Sequence, residues 1–106
     1  MLKCVFLRKD SGFCGFSFSG HAGYGFEGSD IVCAAVSSAV MLTCNAVTEY
    51  FDPSAEVAVE ENRISLRLSE PVKSAVQMIS ALYTHIEMIA QDYKKVKLEI
   101  DEEEKP

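Results

Sequence analysis

The amino-acid sequence predicts a single α+β domain of order ββαββαβ, one sheet packed with two helices, and a homodimer. Three observations carry the fold. Short stretches alternate apolar and polar residues, longer apolar-periodic stretches fall between them, and turn signals mark the junctions. The 106 residues are 48% hydrophobic and 25% charged, a globular composition with chain enough for one core.

The elements follow in order. "LKCVFLRK" is the first strand and "DSG" at 10–12 a turn. "FCGFSFS" then alternates, with Cys14, Phe16 and Phe18 on one side and Phe13, Gly15 and Ser17 on the other, so the first two strands form a hairpin. A glycine-rich segment follows. Ser29 or Asp30 caps a helix running to about Tyr50, and Pro53 in "FDPSA" stops it. Next come "EVAVE" and "RISLRLS", joined at Glu61-Asn62, where asparagine tolerates the left-handed backbone of a tight turn. In that register Glu60 faces Arg63 and Glu56 faces Arg67, while Val57, Val59, Ile64, Leu66 and Leu68 form the apolar side. The second helix starts near Glu70-Pro71, with Val72, Val76, Ile79, Leu82, Tyr83, Ile86 and Ile89 as its apolar stripe. "KVKLEI" is the last strand. The whole chain, 1–106, reads as one domain, its acidic end "DEEEKP" at 101–106 as a frayed tail.

The first helix has no charge between Asp30 and Glu49. A helix apolar all round is covered on more than one side, here by the sheet and by either the second helix or another copy of the chain. That is the argument for the homodimer. The uncharged run at 31–48 is near the minimum for a membrane span, but Ser37, Ser38, Thr43, Asn45 and Thr48 interrupt it. A core helix is expected instead, and no membrane partner.

Net charge and cysteines narrow the function. A charge of -6 argues against a direct nucleic-acid partner and suits a basic one. No secretory signal is visible, and Cys4, Cys14, Cys33 and Cys44 show neither a CxxC pair nor zinc-finger spacing. The expectation is a cytoplasmic protein with reduced thiols and no cofactor. Cys4, Cys14 and Cys44 read as inert core thiols. His85, on the flank of the second helix, reads as structural.

"GHAGYGFEGSDIVCAAVSSAV", at 20–40, admits three chemistries. Gly23-Tyr24-Gly25-Phe26-Glu27-Gly28 matches the dinucleotide fingerprint between strand and helix. However, no parallel βαβ unit follows, and Glu27 and Asp30 put negative charge where a pyrophosphate would sit. His21, Cys33, Asp30 and Glu27 could surround an ion, yet nothing in their spacing demands it, and no metal is expected. The third chemistry is a thiol nucleophile. With Asp30 as N-cap, Cys33 falls in the first helical turn, where free N–H groups and the dipole favour a thiolate. The dipole supplies about 0.3–1 kcal/mol and one pKa unit is about 1.4 kcal/mol, so a cationic partner must add the rest. His21 is the histidine near in sequence. A packed cysteine beside a surface histidine accounts for the same residues.

The stretch resembles the signature of the bacterial ribosomal-processing cysteine proteases, the Prp family. The resemblance rests on Gly20-His21-Ala22-Gly23, Gly28, the run Asp30-Ile31-Val32-Cys33-Ala34-Ala35, and Ser37. It implies a His21/Cys33 dyad and a homodimer. It also implies removal of a short N-terminal extension from a basic large-subunit ribosomal protein, the twenty-seventh. In that light Cys33 is the nucleophile and His21 the base and acid. Asp30 caps the helix or orients His21. Ser37, four residues after Cys33, supports the site or only packs. First-turn N–H groups are candidate oxyanion donors. Gly20, Gly23, Tyr24, Gly25, Phe26 and Gly28 form a substrate loop, its glycines giving a peptide close access to the thiol. The competing reading is a non-catalytic ribosome-associated binding dimer.

Overall fold

In the computed structural model, residues 1–10, 12–20 and 30–103 are described. The elements are β1 (Leu2–Lys9), β2 (Gly12–Gly20), α1 (Ile31–Ala46) continuing into a π-helical turn (Val47–Phe51), β3 (Glu56–Glu60), β4 (Arg63–Arg67), α2 (Lys73–Asp92) and β5 (Val96–Glu102). This is the predicted ββαββαβ order. One five-stranded sheet, order β3-β4-β2-β1-β5, is antiparallel throughout except for the parallel pair β1–β5.

The β3–β4 register matches the sequence reading, with Glu56 opposite Arg67 and Glu60 opposite Arg63, and Asn62 turns the chain at φ 64°. Both arginines find other partners: Arg63 Nε donates to Ser17 Oγ (3.1 Å) and Arg67 pairs with Glu103 (2.6 Å). The apolar side is buried at Leu66 of β4 and at Leu68 just beyond it, but β3 lies at the edge of the sheet and leaves Val59 71% exposed.

The first hairpin departs from strict alternation. Leu7 pairs with Gly15 and Arg8 with Phe13, so Cys14 is the extra residue of a β-bulge. The bulge turns Phe13 onto the side of Phe16 and Phe18, and Cys14 leaves the core. Cys14 is half-buried, its Sγ 3.6 Å from Leu7 O and 3.3 Å from Glu103 Oε1, and is not the core thiol expected. Cys4 and Cys44 are buried as expected. Phe6 sits within 5.2–5.9 Å, ring centre to ring centre, of Phe13, Phe16, Phe18 and Tyr83 of α2. Each such pair contributes roughly 0.5–1.5 kcal/mol beyond its buried area.

Both helices pack on the same side of this sheet. α2 buries Ala75, Ile79, Leu82 and Ile86. It starts at Lys73 with no side-chain cap, so Pro71 lies just outside the first turn instead of within it. α1 buries Val32, Val36, Val40, Thr43 and Cys44, a stripe at helical spacing. Together with the π-helical turn it makes a helix, Ile31–Phe51, long and apolar enough for a membrane span, yet its buried stripe belongs to the core. Much of its remaining uncharged surface is left exposed within one chain: Ile31 is 76% exposed and Leu42 64%. Pro53 follows the helix as expected, and the Asp52 carboxylate accepts from Ser54 N and Oγ to form the turn.

The acidic end is better ordered than its composition suggested. Asp101 and Glu102 belong to β5, and Glu102 pairs with Arg8 through two bonds of 2.6 and 2.9 Å. Glu103 N–H donates to Arg8 O (2.7 Å). The expected fraying from residue 101 is therefore corrected through Glu103: parallel pairing with β1 supplies the backbone bonds that composition alone does not reveal.

Candidate active site

β2 and α1 bring Gly20 and Cys33 together. Gly20 N–H donates to Asn62 O (3.1 Å), tying the end of β2 to the tip of the β3–β4 hairpin. Its φ is 86°, and a Cβ there would lie 2.3 Å from Met1 O, so the position admits glycine and little else. Asp30 begins α1, its Oδ1 accepting from Val32 N and Cys33 N, both at 3.0 Å. The cap expected from spacing is thus present. It also engages two of the first-turn N–H groups considered as oxyanion donors.

Cys33 is half-buried and lines a cleft of about 250 Å³ together with Gly20, Ser37 and Met41. Phe18, Val36, Val40 and Ile64 supply apolar lining, and the hairpin tip contributes Val59, Glu60, Asn62 and Arg63. The structure therefore gathers Gly20, Cys33 and Ser37 around one cleft, with Asp30 fixing the helix end. His21, Gly23, Tyr24, Gly25, Phe26 and Gly28 lie outside the described residues. The hairpin-tip residues were not read as site residues from the sequence. Their proximity to Cys33 depends on β4 pairing with β2, which no local pattern encodes.

Larger clefts exist, and chemistry decides among them. One of about 570 Å³ lies at the β1–β2 turn and contains Cys14. Burial, then the bond to Glu103, pushes that thiol up, away from the thiolate a nucleophile needs. Burial pushes Cys4 up to about 12 and Cys44 to about 11. A groove of about 410 Å³ between α1 and α2 is lined by Leu42, Met78 and the exposed His85, with no thiol. Cys33 alone among the described cysteines joins a helix N-terminus to an open cleft. No group of three or more metal-ligating side chains occurs among the described residues.

Comparison with known proteins points the same way. The family model described as cysteine protease Prp matches residues 1–97. The ribosomal processing cysteine protease Prp of Bacillus subtilis (strain 168) is 28% identical over 102 residues, 89% of this chain and 91% of its own length. An essential ribosomal processing protease Prp from Staphylococcus aureus, crystallised with a covalently linked product peptide, superposes with a TM-score of 0.88 over 95% of this chain and 100% of that one. At 19% identity that likeness speaks for the fold. A Streptococcus mutans protein, 25% identical, superposes with a TM-score of 0.78 over 97% of this chain and 96% of its own. The thiol cleft at a helix start, the mixed five-stranded sheet and the match over residues 1–97 lead to one conclusion: the chain belongs to the cysteine protease Prp family.

Proposed function

We propose that this cysteine protease is an endopeptidase that removes a short N-terminal extension from a basic large-subunit ribosomal protein, the twenty-seventh, in the cytoplasm. The observation that carries the reading is Cys33 in the first turn of α1, opening into a cleft that Gly20, the residue before His21, also lines. The name of the Bacillus subtilis relative supports the ribosomal substrate. The acidic chain, net charge -6, suits a basic protein.

In this mechanism His21 takes the Cys33 proton. The thiolate attacks the scissile carbonyl carbon, and the C–N bond breaks as His21 returns the proton to the leaving amine. Water, deprotonated by His21, then attacks the acyl-enzyme, and the carboxylate leaves as Cys33 is regenerated. Asp30 holds the helix end beneath the thiol. Ser37 lies one turn along the same helix, facing the same cleft, and positions substrate there.

The test is incubation with the extended ribosomal protein followed by mass measurement. The expected product lacks the extension. Cys33→Ala and His21→Ala each remove cleavage with the fold retained, and the double variant is no worse than either single one, because the two act as a unit. Ordinary activity in either single variant overturns the dyad. Binding without any cleavage by the unaltered chain would instead indicate a non-catalytic binding dimer.

A further inference from the structure

β3 is the outermost strand of the sheet, and all of its residues are exposed. The direction of its backbone groups follows from β4. Gly20 N–H donates to Asn62 O and Leu68 N–H to Cys14 O, so the even-numbered residues of this segment turn toward β2. Arg63, Ser65 and Arg67 therefore bond across to Glu60, Ala58 and Glu56. The N–H and C=O groups of Val57 and Val59 are left pointing to the open edge.

The side chains of Val57 and Val59 stand on the helix-bearing side, opposite Leu66 and Ile64, and those of Glu56 and Glu60 on the other. α1 runs alongside. Cys33, Ser37 and Met41, successive helical turns, line the cleft whose facing wall includes Val59. From Cys33 to Met41 is about 12 Å along the helix axis, the span of roughly three to four extended residues. Edge strands are ordinarily blunted by lysine or proline, and "EVAVE" has neither. Its charges are acidic, with Glu61 beyond them at the tip.

We propose that the peptide substrate docks as a sixth strand on β3, between its open edge and the Cys33–Ser37–Met41 stripe of α1. Alternate peptide residues exchange backbone hydrogen bonds with Val57 and Val59. Side chains on one face rest on Val59 and Met41 and are apolar; those on the other lie beside Glu56 and Glu60 and are basic. Continuity with the thiol cleft selects this occupant, and Glu61 at the tip adds acid beyond the Glu56–Arg67 and Glu60–Arg63 pairs. The inference rests on the reading of Cys33 as nucleophile only for the direction in which the peptide runs out.

The test uses Cys33→Ala protein and a synthetic peptide spanning the extension and the first basic residues of the mature substrate. Single backbone N-methyl groups are placed at each position in turn, and binding is followed by fluorescence anisotropy. Affinity should fall about threefold to tenfold at every second position within the docked segment, since each methyl removes one hydrogen bond. Val57→Pro, which deletes an edge N–H and no ladder bond, should weaken binding by a similar factor. In otherwise unaltered protein it should leave the rate of Cys33 alkylation by iodoacetamide unchanged. Loss without a two-residue period, or no binding at all, overturns the proposal. So does a Val57→Pro variant whose sedimentation changes while its peptide affinity does not, because the edge then seats a second copy of the chain. If binding alternates but unaltered protein does not cleave, the endopeptidase reading falls and the docking stands. If it cleaves without alternation, the reverse holds.

Discussion

Four cysteines in one small domain differ because of where each thiol ends up. Cys4 and Cys44 are buried, with ionisation pushed up to about 12 and about 11, and Cys14 is raised by burial and by Glu103. Cys33 stands at the start of α1, on an open cleft. Iodoacetamide near neutral pH, read by peptide mass mapping, should therefore modify Cys33 first, Cys14 far more slowly, and Cys4 and Cys44 only after unfolding. Uniform labelling would remove the distinction on which the nucleophile rests. Gly20 offers a second test at this scale. Gly20→Ala forces a side chain into a left-handed backbone and against Met1 O, so a loss of roughly 1–3 kcal/mol is expected in chemical denaturation. Cleavage should fall with it, since the same residue leads into His21. The reading of Cys33 as nucleophile came from the family resemblance. Its place at the start of α1 was legible in the sequence, because an N-cap Asp30 and a cysteine three positions later are a local pattern. The exposure of Cys14 was not, because nothing in "FCGFSFS" marks which residue will be extra.

At the level of elements, local patterns gave way wherever a distant strand decided the outcome. The β3–β4 register was readable from paired charges and Asn62, since a hairpin is specified by neighbours in sequence. The end of β5 was not, because an acidic run reads as solvated until β1 is placed beside it. The salt links there carry a pH signature. Arg67 and then Cys14 hold the Glu103 carboxyl below its ordinary range. A carboxyl depressed on folding contributes stability above its unfolded value, about 4.3, and loses that contribution as pH falls through its folded value. The stability difference between the native chain and Glu103→Gln, measured by urea midpoint, should favour the native chain at pH 7 and shrink steadily below about pH 4. A difference that stays constant down to pH 2 would show that the charge on Glu103 does not matter.

For the molecule as a whole, the uncovered flank of α1 is the feature that bears on assembly. Within one chain the helix is covered along a single stripe, and Ile31, Met41 and Leu42 are left exposed. A closed two-fold pairing that covers them is the expected assembly. Sedimentation at micromolar concentration should give about twice 11.7 kDa, and Leu42→Glu should shift it toward the monomer. A single 11.7 kDa species for the unaltered chain would refute the dimer. The placing of the two ends has a practical bearing on all these measurements. Leu2 pairs with Gly20 and lines the thiol cleft, whereas β5 runs away from that end of the sheet, closing beside Arg8. An affinity tag fused ahead of Met1 would emerge at the mouth of the cleft and compete with whatever enters it. β5 ends at Glu102, away from the cleft, so apparent inactivity of an N-terminally tagged preparation would say more about the fusion than about the enzyme.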